Sequence, residues 1–435
     1  MSAAVSVALV SVCYNAEPFI GQFLASVFAC DTTGIDLQVT LIDNGSADTT
    51  VDIVARDFPQ VQLLLNPVNN YAAALNLGIA HTDSDYVLIA NNDGYVDTQW
   101  MRGLVSTLEA QPQAGAAQSK IFFAGTELLN SVGVEEIEDC YFRDLAFEQP
   151  DSARYQQPAP RDYVTGGSVM LRRRCLQEVG PWDERFIMYM EDVDYSIRCR
   201  QAGWTLLFAP DSLYYHRFHG SASDELCDYF CARNRLLLLA KHRPESLADG
   251  IRSSHFYAQE QYDLLFDALL LGARYLCTEH SGRSLPPLLE QLNQRLVEDF
   301  GATCAAAFFR QLELQLGLRD LEVVLVADTA EQDEQGLLPG LLRERYGQRL
   351  SLARSTGVAA QHGADILVSQ VAQPPGLGAA LRSVACAGEG ANWPGFDQVL
   401  HEESDTQAWL RVLEQLESEL KGREYLPSAR TESAE

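Results

Sequence analysis

Three short stretches carry side chains whose types and spacing could do chemistry: Asn91-Asn92-Asp93 with Asp97 nearby, Glu191-Asp192 with Asp194, and His216. Asn91 and Asp93 stand two residues apart where the apolar run "YVLIA" ends, so an amide oxygen and a carboxylate can face one divalent cation. Hard ions such as Mg²⁺ and Mn²⁺ prefer such oxygen ligands. The competing reading is a turn, because Asn and Asp both tolerate turn geometry. In "YMEDVDYSIR", Asp194 lies one helical turn before Arg198, within ion-pair reach. That leaves Glu191 and Asp192, whose mutual repulsion and partial burial would raise at least one pKa and supply a general base. A solvated acidic helix start is the alternative, but the flanking "RFIMYM" and "YSI" are too apolar for an exposed face. His216 closes the aromatic run "YYH", where its imidazole could ligate Mn²⁺ or simply be a satisfied structural residue. In "TGGSVMLRRR", Gly166 and Gly167 allow close backbone approach to a ligand, and Arg172, Arg173 and Arg174 could meet phosphate or face solvent.

The elements that must position these residues are legible as an alternation. "VSVALVSVCYN", "LQVTLIDNGSADTT", "VQLLLN" and "DYVLIANND" read as strands, while "EPFIGQFLASVFAC", "TVDIVARDF" and "YAAALNLGIAHT" have helical spacing. That alternation is the mark of a parallel sheet wrapped by helices, in which ligands collect at the carboxyl ends of the strands. Those ends carry "CYN", "DNGS" and "NND". Residues 121–160 read as an irregular excursion over the sheet edge. Residues 225–319 read as mainly helical, with apolar spacing in "YFCARNRLLLLAKH" and "QYDLLFDALLLGARYL". From 320 to 425 the alternation returns, with strand-like "LEVVLVAD" and "ADILVSQ" and helix-like "LLPGLLRERYG" and "DTQAWLRVLEQLESELKG". Three parts are therefore expected: an α/β domain over 1–224, a helical region over 225–319 and a small α/β unit over 320–425 of unknown role.

Composition narrows the partners. Among 435 residues 47% are hydrophobic and 21% charged, and no run of 18 apolar residues occurs, which predicts a soluble chain without a membrane span. The start has no basic leader, so a cytoplasmic location is expected. The ten cysteines form no CxxC pair and read as reduced core thiols. A net charge of −28 argues against non-specific attraction to nucleic acid or anionic lipid, so membrane contact would come through a partner, and an anionic ligand would need a metal ion or a helix N-terminus.

The ordered set "VSVCYN", "LIDNGSADTT", "YAAALNLGI", "DYVLIANND", "GGSVMLRRRCLQEVGPWDERFIMYMEDVDYSIRCRQAGW" and the late His resembles the inverting family-2 glycosyltransferases of GT-A fold, particularly the rhamnosyltransferase-like branch. The resemblance covers roughly residues 5–225. It implies a Rossmann-like nucleotide-diphospho-sugar transferase domain and metal-assisted transfer of a hexosyl or deoxyhexosyl group from a UDP- or dTDP-sugar. The acceptor class it implies is a surface glycan or glycolipid precursor, with a soluble or protein acceptor as the alternative. By position, it implies that Asp93, Asn91 and His216 hold Mn²⁺ or Mg²⁺. It places Tyr14, Asn15, Asp43, Asn44, Asn76, Asn91, Asn92, Gly166 and Gly167 around the donor, makes Asp192 the catalytic base and lets Glu191 seat the acceptor. His219 competes with His216 for the ligand role. Asn70 stands where the family usually has Gly, and a left-handed conformation is open to it.

Two other readings compete. A sugar nucleotidyltransferase would show a Gly-rich, Arg-containing loop after the first strand, and "VCYNAEPF" has no Gly. A catalytically degenerate, nucleotide-sugar-binding scaffold acting through its C-terminal half would not need a base alongside Asp93 and His216. Residues 320–420 lack a phosphate-binding Gly pattern, so partner docking or oligomer assembly is the expected role of that half.

Overall fold

The computed structural model describes residues 4–217, 224–259, 261–279, 285–315 and, beyond these, 323–327, 350–353, 366–371, 380–384 and 399–401. The chain divides into two compact units, Met1–Leu238 and Leu239–Glu435.

The first unit runs β1 (Val5–Cys13), α1 (Ile20–Phe28), β2 (Ile35–Asp43), α2 (Thr50–Asp57), β3 (Gln62–Leu65), α3 (Tyr71–Ala80), β4 (Tyr86–Ala90), β5 (Gly94–Val96) and α4 (Trp100–Glu109). It continues through β6 (Ala114–Phe123), β7 (Leu128–Ser131), β8 (Val134–Glu138), β9 (Tyr141–Asp144), β10 (Gln149–Pro150), β11 (Ala159–Arg161) and β12 (Ser168–Arg172). Then follow α5 (Arg173–Val179), α6 (Glu191–Gln201), β13 (Thr205–His216) and the start of α7 (Asp224–His242).

β1 is the central strand, parallel to β2 and β4, and the main sheet follows the order β10-β7-β6-β12-β4-β1-β2-β3. Successive side chains of a strand point to opposite faces. Val7, Leu9 and Cys13 accordingly pack with Phe23 and Leu24 of α1 and Trp100 and Leu104 of α4, while Val10 and Val12 pack with Ala72 and Leu75 of α3. The sheet is covered on both faces, which is why its strands read as continuous apolar runs. Gly78 lets α3 lie close on the sheet, because a Cβ there would come within 2.6 Å of Val10 and Ile42 side-chain atoms.

Two expectations are corrected. Residues 121–160 are not irregular: they hold β7 to β10, including the separate β8–β9 hairpin. These strands have only two to five residues, and the turns between them put Asp139, Cys140, Ala146 and Glu148 at positive φ, so no period marks them. Asn70 is not left-handed either. It is extended (φ −134°, ψ 108°) and caps α3, its Oδ1 accepting from the Ala73 N–H at 3.0 Å while Nδ2 donates to the Glu184 carbonyl.

In the second unit, after the end of α7, come α8 (Leu247–Arg252), α9 (His255–Ala258), α10 (Tyr262–Glu279), α11 (Leu285–Phe300) and α12 (Ala302–Gln315). A sheet of order β15-β14-β16-β17-β18 follows, built from β14 (Val323–Ala327), β15 (Leu350–Ala353), β16 (Ile366–Val371), β17 (Ala380–Val384) and β18 (Val399–His401). "LEVVLVAD" and "ADILVSQ" fall on β14 and β16. The expected helices in "LLPGLLRERYG" and "DTQAWLRVLEQLESELKG", and His219, lie outside the described residues. Among the described residues no helix is long and apolar enough to cross a membrane.

Candidate active site

A cavity of about 370 Å³ opens at the carboxyl ends of β1 and β4, within the range of small-molecule sites. Its walls include Tyr14, Asn44, Asn91, Asn92, Asp93, Gly166, Gly167, Glu191, Asp192 and His216.

The β5–β13 pairing sets Gly94 opposite His216, and the Arg217 N–H donates to the Asp93 carbonyl. That register brings His216 Nε2 to 3.2 Å from Asp93 Oδ1. The other ring nitrogen, Nδ1, is 2.9 Å from Asn130 Oδ1. With the Nδ1 hydrogen donated to Asn130, the Nε2 lone pair faces a carboxylate, a contact favourable only with a proton or a cation between them. Asn91 sits beside this pair, its backbone N–H donating to the Gly167 carbonyl and its own carbonyl accepting from the Tyr214 hydroxyl at 2.9 Å. Among the described residues no three His, Cys, Asp or Glu side chains form a metal-binding group. The facing donors are instead the Asp93 carboxylate and the His216 imidazole, with Asn91 on the same cavity wall, a set whose chemistry fits a divalent cation. Asn92 also lines the cavity, but its amide donates to the Val12 carbonyl and anchors the end of β1.

The acidic pair opens α6. Asp192 Oδ2 accepts from the Gly166 N–H and Oδ1 from the Val193 N–H, both at 2.8 Å. Burial raises its pKa, and these donors, with the Thr165 hydroxyl, act the other way. Glu191 is more deeply buried, and its Oε2 has no hydrogen-bond partner among the described residues. Burial first, and the Asp192 charge second, push its pKa well above the carboxylate range. The environments thus distinguish two adjacent carboxyls, one whose neutral form burial favours and one whose charged form is hydrogen-bonded. Asp194 is wholly buried and paired with Arg198 at 2.8 Å, as the spacing predicts.

The backbone before this pair is strained. Ile187 has φ 65° and ψ −67°, and the Met188 N–H donates to the Phe186 carbonyl at 2.7 Å, a γ-turn of the rare positive-φ kind. Tyr189 and Met190 also have positive φ, so α6 starts from a left-handed residue.

Several expected donor contacts are not on the cavity wall. Asp43 accepts the Gly45 and Ser46 N–H groups within its own turn, and Asn15 Oδ1 accepts from the Ala47 N–H. Asn76 is bonded to the Trp182 backbone and to Glu184 Oε1, holding α3 to the segment before α6. None of the three lines the cavity. Arg172 and Arg173 donate to backbone carbonyls and Arg174 pairs with Glu178, so the Arg run anchors β12 and α5. Sequence reasoning missed Tyr71, Asn130, Phe142, Arg143 and Asp144, which do line it. Burial raises the Asp144 pKa to about 6, the Ser131 hydrogen bond opposing and the Asp192 charge adding to the rise.

Residues 8–179 match the profile of "Glycosyl transferase family 2". Through this region the chain is similar to the family-2 glycosyltransferases. Its α/β sheet carries the cavity at the carboxyl ends of its parallel strands. The chain is 27% identical over 248 residues to the N-acetylglucosaminyl-diphospho-decaprenol L-rhamnosyltransferase of Mycobacterium tuberculosis, a match covering 50% of this chain and 78% of that protein. It is 27% identical over 203 residues to the beta-monoglucosyldiacylglycerol synthase of Synechocystis, covering 44% and 39% of the two chains. Among solved structures it is similar to S. aureus TarS 1-349 in complex with UDP-GlcNAc, with a TM-score of 0.43 at 13% identity over 73% of this chain and 93% of that one.

Proposed function

We propose that this protein is an inverting glycosyltransferase that moves a hexosyl or deoxyhexosyl group from a UDP- or dTDP-sugar to a hydroxyl of a glycan or glycolipid acceptor. The observation that carries the reading is the division of labour in the cavity. Asp192, hydrogen-bonded by the Gly166 and Val193 N–H groups, and the Asp93–His216 pair line the same space. A glycolipid acceptor is supported by the two relatives, whose names specify a diphospho-decaprenol and a diacylglycerol.

In this reading Asp192 takes the proton from the acceptor hydroxyl as its oxygen bonds to the anomeric carbon, and the bond from that carbon to the diphosphate oxygen breaks on the opposite side. The configuration inverts in one displacement. Protonated Glu191 donates a hydrogen bond to the acceptor and orients it. Asp93, His216 and the Asn91 amide oxygen would hold Mn²⁺ or Mg²⁺, which supplies Lewis-acid stabilisation of the departing nucleoside diphosphate. In so acidic a chain that charge compensation has few other sources.

Thermal unfolding with UDP, dTDP, GDP and CDP, each with and without Mn²⁺, tests the donor site, because a ligand that binds only the native state raises the melting temperature. A metal-dependent rise for one nucleotide, absent in Asp93→Ala, is expected. No rise with any of them would overturn the donor site.

A further inference from the structure

Three consecutive residues of α7, Arg233, Asn234 and Arg235, are charged or polar yet 5%, 0% and 1% exposed. Groups of this kind are buried only when they are satisfied, so what they hold is informative. Asn234 Nδ2 lies 2.8 Å from each of the Phe186, Met188 and Tyr189 carbonyl oxygens. Arg233 Nη1 donates to the Arg185 carbonyl at 2.9 Å and to Asn234 Oδ1, which fixes the amide with its hydrogens toward the loop. Arg235 turns the other way. Its Nε donates to the Asp139 carbonyl at 3.0 Å, and its guanidinium stacks 4.0 Å from the Tyr141 ring centre, at the tip of the β8–β9 hairpin.

The two segments so held are two walls of the cavity. Loop 186–190 contains the Ile187 γ-turn and the left-handed Tyr189 and Met190, and it delivers Glu191 and Asp192. The hairpin delivers Phe142, Arg143 and Asp144. A β-branched residue at positive φ persists only where its surroundings over-determine it. The three carbonyls that Asn234 binds flank that residue.

We infer that Arg233-Asn234-Arg235 is a positioning brace: it holds the strained loop that aims Asp192 and Glu191 and ties the hairpin wall to the same helix. The inference rests on the proposed roles of Asp192 and Glu191. Without the brace the loop relaxes, and the base drifts from the acceptor hydroxyl while Asp93, His216 and the donor side stay in place.

The test uses the full chain carrying Asn234→Leu, similar in size but without donors, and Asn234→Ser, which leaves the amide's place partly empty. Amide hydrogen exchange is expected to quicken in residues 186–192 and remain unchanged in β1 and β4. With a nucleotide sugar and Mn²⁺, kcat should fall on the order of 10- to 100-fold while donor KM holds. Arg235→Met should quicken exchange in residues 134–144 instead. Unchanged exchange over 186–192, a fall carried by KM alone, or loss of the whole fold in both Asn234 variants would overturn the brace. The exchange arm needs no substrate, so a loosened loop supports the brace even if the wild type transfers no sugar and the glycosyl-transfer reading falls. An unaltered kcat in both Asn234 variants, where Asp192→Asn abolishes turnover, would sink the brace alone.

Discussion

His216 Nε2 stands 3.2 Å from Asp93 Oδ1, and the ring is held there by a 2.9 Å contact between its Nδ1 and Asn130 Oδ1. Asn130, at the end of β7, therefore sets which nitrogen faces the carboxylate. Outer partners of this type orient a ligating imidazole and fix its tautomer.

Asn130→Ala should weaken Mn²⁺ binding by about 10- to 100-fold while leaving the fold intact. Titrating Mn²⁺ against the nucleotide-dependent rise in melting temperature reads the effect. An unchanged Mn²⁺ midpoint would show that Asn130 does not orient a ligand.

The two carboxyls at the start of α6 should answer differently to amide substitution. Asp192→Asn removes the base and is expected to lower kcat by about 10²- to 10⁴-fold with nucleotide affinity unchanged. Burial and the Asp192 charge hold the Glu191 pKa high and favour its protonated form, so Glu191→Gln keeps a donor of similar shape. Its expected loss is within about tenfold, the scale of one neutral hydrogen bond. Equal losses in the two variants, read by single-turnover transfer, would reverse or merge the roles.

The residue after Asp93 has a steric duty. A Cβ on Gly94 would stand 2.4 Å from the Tyr215 carbonyl oxygen and 2.6 Å from the Tyr214 hydroxyl oxygen. Gly94→Ala must push β5 from β13 and move the Tyr214 hydroxyl off the Asn91 carbonyl. A loss of about 1–3 kcal/mol is expected from such overpacking, measurable as a lower urea midpoint at unchanged slope. A midpoint matching wild type would mean that the strand pair absorbs the methyl group.

These cases show what the sequence could and could not reveal. β1, β4 and α3 were legible because burial on both sheet faces gives continuous apolar runs and helical spacing gives a period. Asp93 and Asp192 were legible because carboxylates interrupt apolar patterns. Asn76 and Asp43 have residue types equally suited to ligand contact, and only the fold shows their polar atoms turned to Trp182, Glu184 and the Gly45–Ser46 turn. Ile187 misleads outright, since a β-branched residue argues against the positive φ it adopts. The brace left one faint sign, the run "ARNR" next to the unbroken "LLLLA", charged positions on a helix whose next five residues are all buried.

Asp144 was invisible to sequence reasoning because nothing marked the hairpin that carries it, yet it lines the cavity and ionises near pH 6 in the fold. In an unfolded chain an aspartate ionises near about 3.9. Between these values the unfolded chain releases the proton while the folded one keeps it, so stability falls as pH rises from about 4 to about 6 and stays reduced above that. Asp144→Asn removes the dependence. It should be more stable than wild type at pH 8 by on the order of 1–2 kcal/mol, with the advantage vanishing near pH 4. The substitution also deletes a negative charge that acts on Asp192, which lowers the Asp192 pKa and moves the acid limb of the rate profile to lower pH. Melting temperatures at pH 4, 6 and 8 check the first effect and the pH dependence of kcat the second. A melting difference that does not change with pH would show that Asp144 is already ionised in the folded protein at pH 4.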